Sequence, residues 1–166
     1  MAALRLAWFK LYRPLEYYAT FLTVRGDDVT AFDIMADPQS NVARIHELNA
    51  KDDFNKKDED TVMCLQVLLE MKARGVEFLT VDLYKSRATV YTIEDGKIRL
   101  AFKSIKGLGD SAAAALEKAK DDGDGPYTSV EDIQNRSGIS SAVVAGLKEL
   151  GALVGIPDSS QMSLFG

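Results

Sequence analysis

The sequence has very few of the side chains that bind metals or form covalent intermediates. Among its 166 residues it holds one cysteine and one histidine, Cys64 and His46, whereas a structural zinc site takes four such ligands. Cys64 lies in an apolar helical pattern, which favours a buried thiol over a reactive one. We therefore expect no metal site and no catalytic residue in this chain.

Long apolar runs and a basic surplus are also missing. No run approaches the roughly 18 apolar residues that cross a bilayer, so we expect a soluble protein with no membrane partner. The net charge is −5, whereas DNA-binding domains usually carry a basic surplus. Any contact with DNA must therefore rest on a few local groups, and it should be weak in isolation and sensitive to salt.

The most informative segment is a glycine turn that leads into an alanine-rich helix pattern over residues 112–120. Its glycines leave backbone N–H groups unobstructed at a helix start, which is a favourable place for phosphate. The turn resembles a helix-hairpin-helix element, a module that grips the nucleic-acid backbone without reading bases. An ordinary helix start capped by Asp110 or Ser111 fits the turn equally well. The turn reads Ile105, Lys106, Gly107, Leu108, Gly109, Asp110, Ser111.

A second and weaker copy of the turn follows over residues 137–141, without the paired glycines. It leads into a predicted helix over residues 142–150 that ends at Gly151. A linking helix over residues 127–135, capped by Thr128 or Ser129, is predicted between the copies. The residues expected to contact DNA are Lys103, Lys106, Gly107, Leu108, Gly109, Asp110, Gly138 and Ser140.

The N-terminal half has helical periodicity. Over residues 2–23 it is broken by Pro14, and a short helix is possible over residues 32–35. A helix over residues 40–49 should turn Val42, Ile45 and Leu48 inward. The next helix pattern covers residues 62–74, with a cap at residue 60 or 61 and an end at Gly75.

Strand-like alternation follows over residues 76–78, 81–83, 89–93 and 97–100. Between the last two segments stands Asp95-Gly96, the strongest short signal for a β-hairpin. The chain should therefore be mostly α-helical with a small β-hairpin.

Several segments together resemble the PolC-type alpha subunit of bacterial replicative DNA polymerase III from low-GC Gram-positive bacteria. The matching segments, in the family's order and spacing, are residues 1–19, 23–25, 81–86, 98–100 and 105–109. The resemblance implies that residues 1–80 are the helical end of a fingers domain and residues 81–100 a β-hairpin connector. Residues 101–156 would be a tandem helix-hairpin-helix domain that binds duplex DNA, and residues 157–166 a flexible tail.

The resemblance also implies partners and a location. Double-stranded DNA, the bacterial sliding clamp and the remainder of the polymerase would be the partners, in the cytoplasm. Polymerisation in that family uses palm-domain carboxylates that hold magnesium; no residue here supplies them, so no cofactor is expected in this chain. The chain then looks like a C-terminal fragment of a nucleotidyltransferase.

The extreme C-terminus carries three apolar side chains in an otherwise polar tail. In the resembled family a clamp-binding peptide occupies this place. Its residues here are Gln161, Met162, Ser163, Leu164 and Phe165.

Two other interpretations fit the same sequence. One is a free-standing, non-enzymatic adaptor that binds DNA and recruits the clamp. The other is a purely structural helical domain whose glycines are helix caps. If the N-terminal half is a severed part of a larger domain, Trp8, Leu11 and Tyr18 should expose apolar surface.

Overall fold

Helices dominate the protein. The computed structural model describes residues 2–159, which form eight α-helices and three short strands. The predicted fold class, mostly helical with a small sheet, is confirmed. The helices are α1 (Ala2–Tyr12), α2 (Pro14–Arg25), α3 (Ala31–Met35), α4 (Pro38–Asn49), α5 (Lys56–Ala73), α6 (Asp110–Ala119), α7 (Val130–Ser137) and α8 (Ser141–Glu149), and the strands are β1 (Phe78–Leu79), β2 (Thr92–Glu94) and β3 (Lys97–Arg99).

Local signals set most of the helix ends. Pro14 separates α1 from α2, as predicted, and lies in the first turn of α2, where a missing N–H costs no hydrogen bond. The predicted start of α5 at residue 62 is wrong, because the helix begins at Lys56. Asn55 caps it by accepting hydrogen bonds from two backbone N–H groups at 2.9 and 3.2 Å. The helix ends before Gly75, whose φ of 83° suits glycine best.

The buried face of α4 differs from the predicted one. Val42 is 41% exposed, so its predicted inward position is wrong, while the other two predicted positions are half-buried against the core. Asn41 is buried instead and donates from Nδ2 to the carbonyl of Asp33 at 2.8 Å. Lys72 of α5 donates to Asn41 Oδ1 at 2.6 Å. A polar contact thus joins α4 to α5 where the spacing of apolar residues predicted packing by valine.

The small sheet contains the predicted hairpin and one further strand. Asp95 and Gly96 both have positive φ, 52° and 73°, as a type I′ turn between β2 and β3 requires. β1 lies on the other side of β3 and pairs with it in parallel, Phe78 opposite Ile98. The alternating segment 81–83 forms no strand, because the Asp82 carboxylate accepts from the N–H groups of two following residues and makes a turn.

One apolar core runs through both halves of the chain, from Tyr18 in α2 to Leu153 after α8. Cys64 lies in it, 2% exposed, and burial raises the pKa of its thiol to about 11; the predicted buried thiol is confirmed. The predicted domain boundaries at residues 80, 100 and 156 stay predictions. Within residues 2–159 no helix is long and apolar enough to cross a membrane.

The first helix adds nothing to this core. α1 has no buried residue, and Trp8 and Leu11 are 50% and 64% exposed, as expected. The same expectation for Tyr18 is wrong. Its ring is fully buried, because its hydroxyl donates to Glu70 Oε2 at 2.9 Å and accepts from Arg74 at 2.7 Å.

Candidate nucleic-acid interface

The first hairpin is a tight turn built around one buried leucine. It follows a 3₁₀ turn, Phe102–Ser104, instead of a full helix. Gly107 has a φ of 86°, a left-handed conformation that a side chain would strain. Leu108 is 5% exposed and anchors the turn, while its N–H donates to the carbonyl of Ile105 at 3.1 Å. Leu108, one of the predicted contact residues, therefore offers a ligand neither its side chain nor its N–H.

The start of α6 is open. Gly109 is the N-cap residue, with φ −73° and ψ 169°, and no side chain caps this helix. The alternative caps, Asp110 and Ser111, instead lie exposed within the first turn. A Cβ added to Gly107 or Gly109 would meet nothing within 4 Å in the described part of the chain. Uncapped backbone N–H groups at a helix start, beside glycines that carry no side chain, favour an anion.

The second hairpin repeats the conformation of the first. Gly138, with φ 72°, and the buried Ile139 stand in the places of Gly107 and Leu108. Ser140 stands in the place of Gly109 as the N-cap of α8, and its Oγ accepts from the N–H of Val143 at 3.3 Å. The linking helix α7 forms with Ser129 as its cap, one of the two predicted. One donor at the start of α8 is thus already occupied, and Ser140 is exposed.

A glycine inside α8 allows the two hairpins to pack closely against each other. Gly146 lies inside α8, where a side chain would ordinarily be favoured. A Cβ there would lie 3.3 Å from Cγ2 of Ile105, the residue that begins the first hairpin. Leu116 of α6 and Leu147 of α8 are both fully buried in the common core. The second hairpin's helix α8 therefore packs against the first hairpin, and both hairpins share one apolar core.

The two lysines predicted to meet DNA differ in their surroundings. Lys103 donates from Nζ to the carbonyl of Thr23 at 2.7 Å and pairs with Asp27 at 3.0 Å, and its side chain is only 9% exposed. Those contacts tie the hairpin to α2 and leave little of the ammonium for a phosphate. Lys106 is exposed, and among residues 2–159 its ammonium has no partner. The roles of both in DNA binding stay predictions.

A cavity of about 850 Å³ lies beside the first hairpin. Residues 103–110 line it on the side of the hairpin, and the other lining residues include Phe32 of α3, Arg44 of α4, and Lys57 and Thr61 of α5, which we call its second wall. The second wall could not be predicted from the sequence, because its residues come from three helices and Lys57 stands in a charged run typical of solvated surface. We call this cavity the hairpin groove.

The C-terminal segment is held in place up to the last described residues. The carbonyls of Pro157 and Asp158 accept from the N–H groups of Val130 and Glu131 at 2.8 and 3.1 Å, at the start of α7. Residues 157–159, the first of the predicted tail, thus complete the cap of a helix, and the flexible tail as a whole stays a prediction. The predicted clamp-binding residues, 161–165, lie outside the described residues.

Within the described residues, no group of three or more His, Cys, Asp or Glu side chains could hold a metal ion. The acidic run near residue 122 is used structurally instead. Asp122 and Asp132 both pair with Arg136, whose side chain is 8% exposed. Arg136 in turn holds the pKa of Asp122 below its usual value.

Comparison with known proteins agrees with this geometry. A family described as the helix-hairpin-helix motif matches residues 75–162. Over 167 aligned residues, 100% of this chain, the sequence is 38% identical to a DNA polymerase III PolC-type from Clostridium perfringens. It is 37% identical over 99% of the chain to the protein of the same name from Halalkalibacterium halodurans, and 34% identical over 99% to that from Staphylococcus saprophyticus. The chain spans 11% of the length of each of these relatives.

Proposed function

The chain belongs to the helix-hairpin-helix motif family, and we propose from this premise that its two hairpins hold double-stranded DNA by the phosphates, without reading bases. The observation that carries the proposal is the open start of α6. Two glycines stand before it, no side chain caps it, and nothing fills the space where a Cβ would be. A phosphate oxygen would accept hydrogen bonds from the free N–H groups there and would be stabilised by the helix dipole.

Each hairpin supplies a different set of donors. At the first, the N–H groups after Gly109 are joined by the ammonium of Lys106, which has no competing partner in the described chain. At the second, the hydroxyl of Ser140 has a proton to donate while its oxygen caps α8. Because Gly146 lets α8 pack closely against the first hairpin, both sites would meet the DNA together. Two phosphate contacts at a fixed separation suit the regular backbone of a duplex.

The similarity to PolC-type polymerases supports a proposal about the protein to which this chain belongs. We propose that the chain is part of a PolC-type DNA polymerase, in which it holds the duplex while the chemistry takes place elsewhere in the protein. Magnesium would belong to that other part. The support is identity along the whole chain to relatives that are about nine times longer.

Docking to the sliding clamp is the further part of the proposal, through Gln161, Met162, Ser163, Leu164 and Phe165. Three apolar side chains gain little from a polar tail, so an apolar groove on a partner is a favourable place for them. The anchoring of residues 157–159 at the start of α7 supports it, because it fixes the point from which the motif extends.

Salt-dependent binding tests the duplex proposal. The intact chain should bind a blunt DNA duplex of arbitrary sequence in fluorescence anisotropy, weakly and with a steep loss as salt rises. Lys106→Gln should weaken binding and reduce the slope of log affinity against log salt by about 1. Lys118→Gln is the matched control, since Lys118 is exposed at the other end of α6. Binding that is indifferent to salt, or equal loss in both variants, would contradict the proposal.

A further inference from the structure

The hairpin groove has features that phosphate contacts to a duplex do not use. It is a concave space of about 850 Å³, within the range of sites that enclose small ligands and too small to admit a double helix. Phe32 lines its second wall, with 40% of the residue's surface exposed. An exposed aromatic ring in a cleft beside a proposed phosphate site offers a surface on which an unpaired base can stack.

Two of the cations in the groove are already neutralised. Arg44 Nε lies 3.1 Å from Oδ1 of Asp33, and Lys103 Nζ lies 3.0 Å from Oδ1 of Asp27. Asp33 is almost fully buried and also accepts from the N–H and hydroxyl of Thr30 at 2.7 and 2.9 Å. These two ion pairs line the groove, and because each pair is neutral they attract a charged ligand only weakly.

The remaining charged groups of the groove balance each other. In the described chain the ammonium groups of Lys57 and Lys106 form no hydrogen bond or ion pair, and neither do the carboxylates of Asp28 and Asp110. The two lysines supply cations from different parts of the chain, one beside the first hairpin and one on α5. Since the sum of these charges is zero, a ligand would be held by stacking as much as by attraction of its phosphate.

From this arrangement we infer that the groove takes an unpaired nucleotide of a single-stranded segment that continues the duplex held at the first hairpin. The base would stack on Phe32, and Lys57 would meet the phosphate that follows. This inference rests on the proposed duplex binding, because the hairpin would deliver the strand to the groove. It adds a ligand class, single-stranded nucleic acid, and a second wall, contributed by the N-terminal half of the chain.

The test compares a blunt duplex with the same duplex carrying a short single-stranded extension at either end. The intact chain should bind one of the extended duplexes about fivefold or more tightly than the blunt one, the gain expected for one base stacked on an aromatic ring. That gain should persist at salt concentrations that weaken binding to the blunt duplex, because the groove carries no net charge.

Matched variants identify the groove as the source of the gain. Phe32→Leu keeps an apolar side chain but removes the ring and should abolish the gain, while Phe32→Trp should keep or increase it. Met35→Leu is the control, since Met35 lies on the same helix with similar exposure, 42%, outside the groove. Lys57→Gln should reduce the gain, and Lys56→Gln should not, because Lys56 pairs with Glu59 and Asp60 away from the groove.

The outcomes separate the two proposals. Binding of the blunt duplex without any gain from an extension, or a gain that survives Phe32→Leu, overturns the groove inference and leaves the duplex proposal standing. Binding of single strands without the duplex overturns the duplex proposal, and with it the inference that the strand in the groove continues a bound duplex. If a free nucleotide fully displaces the bound DNA while single-stranded extensions add no affinity, the groove holds free nucleotide and the inference is wrong.

Discussion

The replacement Gly109→Thr isolates the proposed phosphate site from the stability of the fold. Gly109 has φ −73° and ψ 169°, which threonine adopts without strain, and apart from its two chain neighbours no described residue has an atom within 4 Å of the added Cβ. Threonine and glycine are about equally good N-cap residues, so the free energy of unfolding should change by less than about 0.5 kcal/mol. Gly107 is unsuitable for this purpose, because its φ of 86° would strain any side chain.

The expected loss of affinity follows from what the new side chain covers. It would stand in front of the uncapped N–H groups of α6 and keep a phosphate from approaching them. A hydrogen bond to a charged group contributes about 1.5–3 kcal/mol, so losing one such contact should weaken duplex binding by about 10- to 100-fold.

Anisotropy titrations of a blunt duplex at low salt measure this loss, with thermal unfolding recorded on the same samples. Ala73→Thr, exposed at the end of α5, adds a similar hydroxyl and methyl group outside both hairpins. The reasoning is refuted if Gly109→Thr folds as the parent chain does and binds the duplex equally well.

Three further outcomes are expected. Gly146→Val should destabilise the fold by about 1–3 kcal/mol in denaturant titrations, because its side chain would be forced against the first hairpin; unchanged stability would contradict the packing argument. Arg99 lowers the pKa of Glu94 from 4.5 to about 2, so their pairing should stabilise the fold above pH 4.5 and be lost as the pH falls towards 2. The stability difference between the parent chain and Glu94→Gln, followed by unfolding at several pH values, should vanish over that interval; a constant difference would count against it. Replacing Leu164 and Phe165 with alanine should weaken binding to purified clamp by at least about 2 kcal/mol, whereas equal affinity of a chain ending at residue 160 would exclude the clamp motif.

The hairpins could be predicted from sequence because their determinants are local. Gly107 and Gly109 bracket one apolar residue, and a positive φ and an open helix start follow from that short pattern. Gly138 predicted the second turn in the same way. The type I′ turn at Asp95 and Gly96 is equally local.

The surroundings of the hairpins depend on contacts between distant residues, which no local pattern reveals. Lys103 reads as a surface cation beside a glycine turn, yet its ammonium bonds to Thr23, 80 positions earlier in the chain. Tyr18 is buried because Glu70 and Arg74 satisfy its hydroxyl. The second wall of the hairpin groove could not be predicted from the sequence for the same reason, since Phe32 and Lys57 come close to the hairpin only in the folded chain.

Amide chemical shifts measured during a titration with a blunt duplex test the central claim most directly. If phosphates bind at the hairpins, the largest changes should occur at the N–H groups of Gly109, Asp110 and Ser111, with a second set at Ser140 and Ser141, and both should diminish as salt is added. Changes confined to the exposed helix α1, or an absence of changes at the start of α6, would show that the hairpins are not where this chain holds DNA.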